Sequence, residues 1–120
     1  MDQLMSVTVR QMPELAAVLV RVDGELDFAT SRRLGEALSE LPSGSHLVFD
    51  LRELRFCDSS GLGVLIAAHK SAAAAGALTF LTGLTPTVLT AIKVTMLDQL
   101  FCLRDTAESA IAELSTARGE

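Results

Sequence analysis

The chain has 120 residues, and ten Lys plus Arg against fifteen Asp plus Glu give a formal net charge of −5. That length corresponds to one domain, since single cores span roughly 100–150 residues, and 49% hydrophobic residues with 21% charged ones exclude the composition of a disordered chain. An acidic balance with no Trp, no Tyr and five Phe argues against a phosphate-tracking surface or a base-stacking platform, so nucleic acid is not an expected partner.

Residues 6–9 (SVTV) alternate, and residues 15–22 (LAAVLVRV) are apolar almost throughout with Val18, Val20 and Val22 on one face. The pattern predicts two strands, the second buried. Met12-Pro13-Glu14 between them predicts a hairpin connection, and Asp23-Gly24 a turn that closes the second strand. Thr30 and Ser31 then stand where they can cap a helix in which Leu34, Ala37, Leu38 and Leu41 keep helical spacing. That helix is expected to stop at Pro42-Ser43-Gly44. Residues 46–50 (HLVFD) have the length and apolarity of a strand, and 51–55 read as a polar segment. Asp58, Ser59 and Ser60 are all good N-cap residues. The helix they open carries Leu62, Leu65, Ile66 and His69, extends through the alanines at 72–75, and meets Gly76 where a terminating glycine belongs. Residues 78–82 (LTFLT) predict the next strand. Thr85-Pro86 reads as N-cap and first position of a third helix running to Val94. Residues 101–103 (FCL) predict a short last strand, and Asp105-x-x-Glu108 a capping box for a fourth helix.

This order of elements predicts an α/β fold, a mixed and mostly parallel sheet of about five strands with four helices packed on it and one antiparallel neighbour from the opening hairpin. Residues 1–120 are expected to form a single domain. The stretch 59–92 carries Lys70 as its only formal charge, but His69-Lys70, Gly76 and Thr85-Pro86 interrupt it, so it reads as helix, strand and helix rather than as a membrane span. No basic segment followed by an apolar run marks a signal peptide at the N-terminus. Cys57 and Cys102 lie outside any Cys-x-x-Cys pair or Cys/His cluster, so neither a disulfide nor a structural zinc is expected. Both features fit a reducing cytoplasm.

In parallel sheets functional groups collect where strand C-termini meet helix N-termini, and residues 58–63 (DSSGLG) fall at such a junction. Two hydroxyls sit there at the positive end of a helix, beside Gly61 and Gly63, which let another surface approach the backbone. A phosphate on Ser59 would meet free N–H groups and a favourable dipole. The same residues also suit plain capping, with both glycines merely saving space. Leu62, at the first turn, is expected to be partly exposed as an anchor, although its spacing with Leu65 and Ile66 equally permits a core position. Enzymatic patterns are missing. After five residues beyond Cys57 stands Gly63, where a cysteine phosphatase loop needs Arg, and neither a P-loop nor a nucleophile elbow fits around Ser59 or Ser60. His46 and His69 bring no partner at recognisable spacing, and Asp50, without a second carboxylate, reads as a loop cap rather than a metal ligand. The chain is not expected to be an enzyme or to hold a cofactor.

With Gly24-Glu25-Leu26-Asp27 followed by Thr30, LVFDL at 47–51, and the run from Phe56 through Asp58-Ser59-Ser60-Gly61-Leu62-Gly63 to Val64, the chain resembles the STAS domain of bacterial anti-sigma factor antagonists over nearly its whole length. Cys57 departs from the apolar residue usual in that family. The resemblance implies a partner-switching protein: unmodified, it binds an anti-sigma factor that is also a serine kinase and so frees a sigma factor; phosphorylated on Ser59, it lets go. A phosphatase of the PP2C type resets the switch, and ATP and magnesium belong to the kinase. Asp27, Thr30, Asp58, Ser60, Gly61, Leu62 and Gly63 are implied as partner-binding residues, with Asp27 helping to dock the kinase. Alternatives on the same fold are a STAS scaffold that binds without being switched, such as a stress-sensing component or the soluble subunit of a lipid-transport ATPase complex, and a small-ligand or nucleotide binder using the same loop.

Overall fold

The computed structural model describes residues 4–117. Alternating apolar residues at its start form an antiparallel hairpin, β1 (Met5–Met12) with β2 (Ala17–Leu26), in register Val9 to Val20 and Met5 to Gly24. A 3-10 turn, Pro13–Leu15, joins them and ends on Ala16 in the left-handed region at φ 51°. Asp23-Gly24 does not close the second strand. Gly24 sits inside β2 at φ +99°, where a Cβ would run into the carbonyl of Leu4, and its N–H reaches Glu53 O at 2.9 Å. Glycine here lets the strand bend and continue rather than turn away.

The chain then runs through α1 (Ser31–Ser39), β3 (His46–Asp50), β4 (Leu54–Cys57), α2 (Ser59–Ala74), β5 (Thr79–Thr82), α3 (Pro86–Val94), β6 (Cys102–Arg104) and α4 (Ala107–Ala117). The sheet has six strands in the order β1-β2-β3-β5-β6, parallel from β2 onward. The sixth, β4, pairs with the far end of β2, Gly24 to Leu54 and Leu26 to Cys57, after β3 has left that edge at Asp50. It begins at the end of what reads in sequence as a polar segment, 51–55, and runs on to Cys57; a register shift between Gly24 and Glu25 breaks the alternation that would announce a strand. Residues 59–92 fold as helix, strand and helix, as their interruptions indicate. Among the described residues no helix is long and apolar enough to cross a membrane.

The helix ends follow local chemistry, with two corrections. Gly76, at φ +79°, ends α2: its N–H bonds Ala73 O at 3.0 Å and that of Ala77 bonds Ala72 O at 2.8 Å, so the last carbonyls are satisfied. Pro86 opens α3, but the hydroxyl of Thr85 donates to Leu54 O at 3.2 Å instead of capping the helix. At α4 the expected box on Asp105 and Glu108 is displaced by one residue. Thr106 precedes the first helical residue, and its Oγ1 accepts from Ser109 N–H at 3.0 Å.

Three helices cover one face of the sheet, where Val20, Phe49 and Leu81 pack with Leu34, Leu65 and Ile92. On the other face α4 alone packs Ala110 and Leu114 onto Val48 and Phe80. Each fully buried leucine or phenylalanine contributes about 1.5–3 kcal/mol. Beyond α4 that second face is charged and solvated, with Arg21 to Asp23 at 2.8 Å and Arg55 to Glu25 at 3.8 Å. The parallel pairing of β2 with β4 brings the N-termini of α1 and α2 together at the C-terminal ends of those strands.

Candidate functional site

Parallel neighbours end together, so Leu26 and Cys57 deliver two loops to one place, and Asp58 N–H bonds Leu26 O at 3.0 Å. The first loop, 27–30, is a self-locking turn. Asp27 Oδ1 accepts from the N–H groups of Ala29 at 3.0 Å and Thr30 at 3.1 Å. Thr30 Oγ1 in turn accepts from Asp27 N–H at 2.9 Å and donates to Glu25 O at 2.8 Å, with Asp27 Oδ1 at 3.1 Å. Thr30 therefore precedes α1 without capping it through its hydroxyl, contrary to expectation. The carbonyl of Asp27 takes the N–H of Ser31 at 2.8 Å instead. Both Asp27 and Thr30 are committed to holding this turn.

The second loop is capped by Asp58 in extended conformation, φ −94° and ψ −172°. Its Oδ1 accepts from Gly61 N–H at 3.1 Å, as an N-cap should, and its Oδ2 accepts from Phe28 N–H at 3.2 Å. One carboxylate thus clamps the 27–30 turn onto the start of α2. Ser59 is the first residue of that helix and is exposed; Ser60, half-buried, borders an open cleft between α1 and α2 with Phe28, Arg32, Gly35 and Val64. Helical geometry leaves the N–H groups of Ser59 and Ser60 without intrahelical partners, at the positive end of the dipole.

Two residues expected to face a partner point inward. A Cβ on Gly61 would stand 2.7 Å from Leu26 Cγ, 2.8 Å from Leu26 O and 2.9 Å from Cys57 Sγ; the close approach it permits is to β2 and β4 of its own chain. Leu62 is 7% exposed and belongs to the main core, because the first turn of α2 lies flat against the sheet at that position. The expected exposed anchor is not there. Gly63 is exposed, with nothing within 4 Å of a Cβ built on it. Ser59 and Gly63 are therefore exposed on this surface, Ser60, Asp27 and Asp58 are half-buried in it, and Thr30, Gly61 and Leu62 support it from beneath.

Cys57 lies under the same loop. Burial first, then the charge of Asp58, pushes its thiol up to about 12, so it stays protonated and packs as a small apolar residue. The other sequence candidates lie elsewhere. His46 Nδ1 accepts from Leu78 N–H at 3.0 Å, His69 packs edge-on against Phe101 with ring centroids 5.6 Å apart, and buried Asp50 caps its loop by accepting from Arg52 N–H at 3.3 Å and from Arg52 Nε and Nη2 at 3.0 Å each. Among the described residues no group of three or more His, Cys, Asp or Glu could hold a metal ion.

Sequence reasoning missed Phe28, which stands 83% exposed at the mouth of the cleft. A signal was available: an aromatic between Asp27 and Thr30, both turn-forming, belongs to no helix or strand face that could bury it.

Residues 6–110 match the family model described as STAS domain. The chain is 28% identical over 114 residues to an anti-sigma F factor antagonist from Paenibacillus polymyxa, spanning 92% of this chain and 97% of that one. Among solved structures it is similar to an anti-sigma factor antagonist from Mycobacterium paratuberculosis, with a TM-score of 0.81 at 25% identity over 92% of this chain and 94% of that one. It shares the fold of the Bacillus cell fate determinant SpoIIAA in its phosphorylated form, TM-score 0.69 at 22% identity, covering 91% and 99% of the two chains.

Proposed function

The chain belongs to the STAS domain family, and from that premise we propose that it is an anti-sigma factor antagonist that works by partner switching in the cytoplasm, with Ser59 as the switch. The observation that carries this reading is the exposure of Ser59 at the first position of α2, on a loop that Asp58 pins at both ends. Relatives named as anti-sigma factor antagonists support it, as does a neighbour of the same fold solved in a phosphorylated form.

Unmodified, the protein binds an anti-sigma factor that is also a serine kinase, and the sigma factor is released. The kinase brings its own ATP, magnesium and catalytic base; this chain is the substrate and not the enzyme. A phosphate on Ser59 adds about −1.5 to −2 charge at neutral pH. Within the protein that charge is tolerated, since the N–H groups at the start of α2 and the helix dipole favour an anion. Across the interface it is not, because a surface matched to a neutral hydroxyl now faces a dianion beside Asp58, with a repulsion and desolvation cost. The partner dissociates, and a phosphatase of the PP2C type restores the first state. Ser59, Ser60 and Gly63 make the contact together with the half-buried Asp27 and Asp58, while Thr30, Gly61 and Leu62 fix its shape.

The test is incubation with the cognate anti-sigma factor and ATP, followed by mass mapping. Phosphate is expected on Ser59 and is lost in Ser59→Ala. Incorporation at Ser60 in that variant would move the assignment by one residue; none at all in the wild type would leave an unswitched scaffold as the better reading.

A further inference from the structure

Phe28 is the most exposed of the large apolar side chains among the described residues, at 83%. Its ring is left almost wholly outside the fold, yet its backbone is tied into the turn. The amide is bound to Asp58 Oδ2 at 3.2 Å, and the turn around it is closed by Asp27 and by the hydroxyl of Thr30, which is anchored to Glu25 O at 2.8 Å. A bulky aromatic on a turn whose backbone is already hydrogen-bonded spares the complex the cost of ordering the chain beneath it, and aromatic side chains presented in this way serve as energetic anchors.

Its position indicates what covers it. The carboxylate that holds Phe28 belongs to Asp58, the residue immediately before Ser59. A protein that brings a nucleotide to the Ser59 hydroxyl covers a patch of roughly 800 Å² around it, and Phe28 lies inside that footprint. Arg32, Arg33 and Glu36 line the adjoining cleft together, so charges of both signs border the exposed ring, as in the polar rim around the apolar centre of a protein interface.

We propose that Phe28 is the docking anchor for the protein kinase that modifies Ser59, its ring entering an apolar pocket that the kinase carries beside its active site. This rests on the reading of Ser59 as phosphoacceptor. It assigns recognition to a side chain separate from the one that is modified, so the same contact serves binding and presentation.

The experiment compares wild type, Phe28→Ala, Phe28→Leu and, as an exposed apolar control at the far end of α3, Val94→Ala, with the cognate anti-sigma factor and ATP. Phe28→Ala is expected to weaken binding by about tenfold or more and to raise KM for phosphorylation by a similar factor, with kcat and melting temperature close to wild type. Phe28→Leu recovers part of the loss, and Val94→Ala loses nothing. Equal affinity and KM for wild type and Phe28→Ala, while both are phosphorylated on Ser59, would overturn the anchor and leave the switch intact. A drop in melting temperature in Phe28→Ala would make the ring structural and overturn it too. A wild type that neither binds nor accepts phosphate removes the switch, and the anchor with it.

Discussion

Asp58 and Phe28, 30 residues apart, are joined by a 3.2 Å hydrogen bond from the amide of Phe28 to Oδ2 of Asp58, while Oδ1 of the same carboxylate caps α2 at Gly61. Asp58→Ala breaks both bonds and should cost about 1–2 kcal/mol of stability, with Asp58→Asn losing less because one acceptor survives. Urea denaturation gives the cost. Amide exchange at Phe28 reports the second bond directly and should accelerate in Asp58→Ala.

The two glycines near the start of α2 should respond oppositely to the same substitution. Gly61→Ala places a methyl group 2.7 Å from Leu26 Cγ and 2.8 Å from a carbonyl that cannot move freely, and should destabilise by about 1–3 kcal/mol. Gly63→Ala meets open space inside a helix and should stabilise by about 0.5–1 kcal/mol. Thermal melts of the two variants decide it; equal shifts would mean that the burial of Gly61 has been misassigned.

Ser59→Asp should fold as well as the wild type, because an acidic group in the first turn of a helix is favourable by about 0.3–1 kcal/mol. Its affinity for the anti-sigma factor should nevertheless fall. Calorimetric titration beside a thermal melt separates the two effects, and an affinity equal to that of wild type would deprive the switch of its electrostatic basis.

The Cys57 thiol supplies a pH dependence. In the folded protein burial holds its pKa at about 12, whereas an unfolded thiol ionises near 8.5, an ordinary value of roughly that size. Above the lower value the unfolded chain releases a proton that the folded chain keeps, so stability falls as pH rises from about 8.5 toward 12. Comparing urea midpoints at successive alkaline pH values, the decline should be shallower in Cys57→Ala than in wild type. Parallel declines would show that the thiol ionises in the native state.

The parallel sheet, the four helices and the loop at 58–63 were legible because each carries a local signal: apolar runs, helical spacing, capping residues and Gly76. What was not legible depends on contacts distant in sequence. The register shift opposite Gly24 hid β4, since Leu54 and Cys57 are buried with two exposed residues between them. Leu62 has the same spacing whether α2 lies against the sheet or stands clear of it, and only the packing of its first turn decides. Thr30 looks like a cap by residue type, yet Glu25 O and Asp27 compete successfully for its hydroxyl. Phe28 carries a weaker signal, an aromatic set between two turn-forming residues, and its 83% exposure is decided by the packing of that turn.

The bonds from Asp58 to Leu26 and Phe28 also set when the serine becomes recognisable. A peptide spanning only the 58–63 loop lacks both partners, and a chain emerging from the ribosome lacks the finished loop until β2 and β4 have paired. On the proposed reading of Ser59 as phosphoacceptor, the serine is then a conformational epitope rather than a linear motif. A kinase that reads this shape acts on folded molecules and passes over nascent or denatured ones.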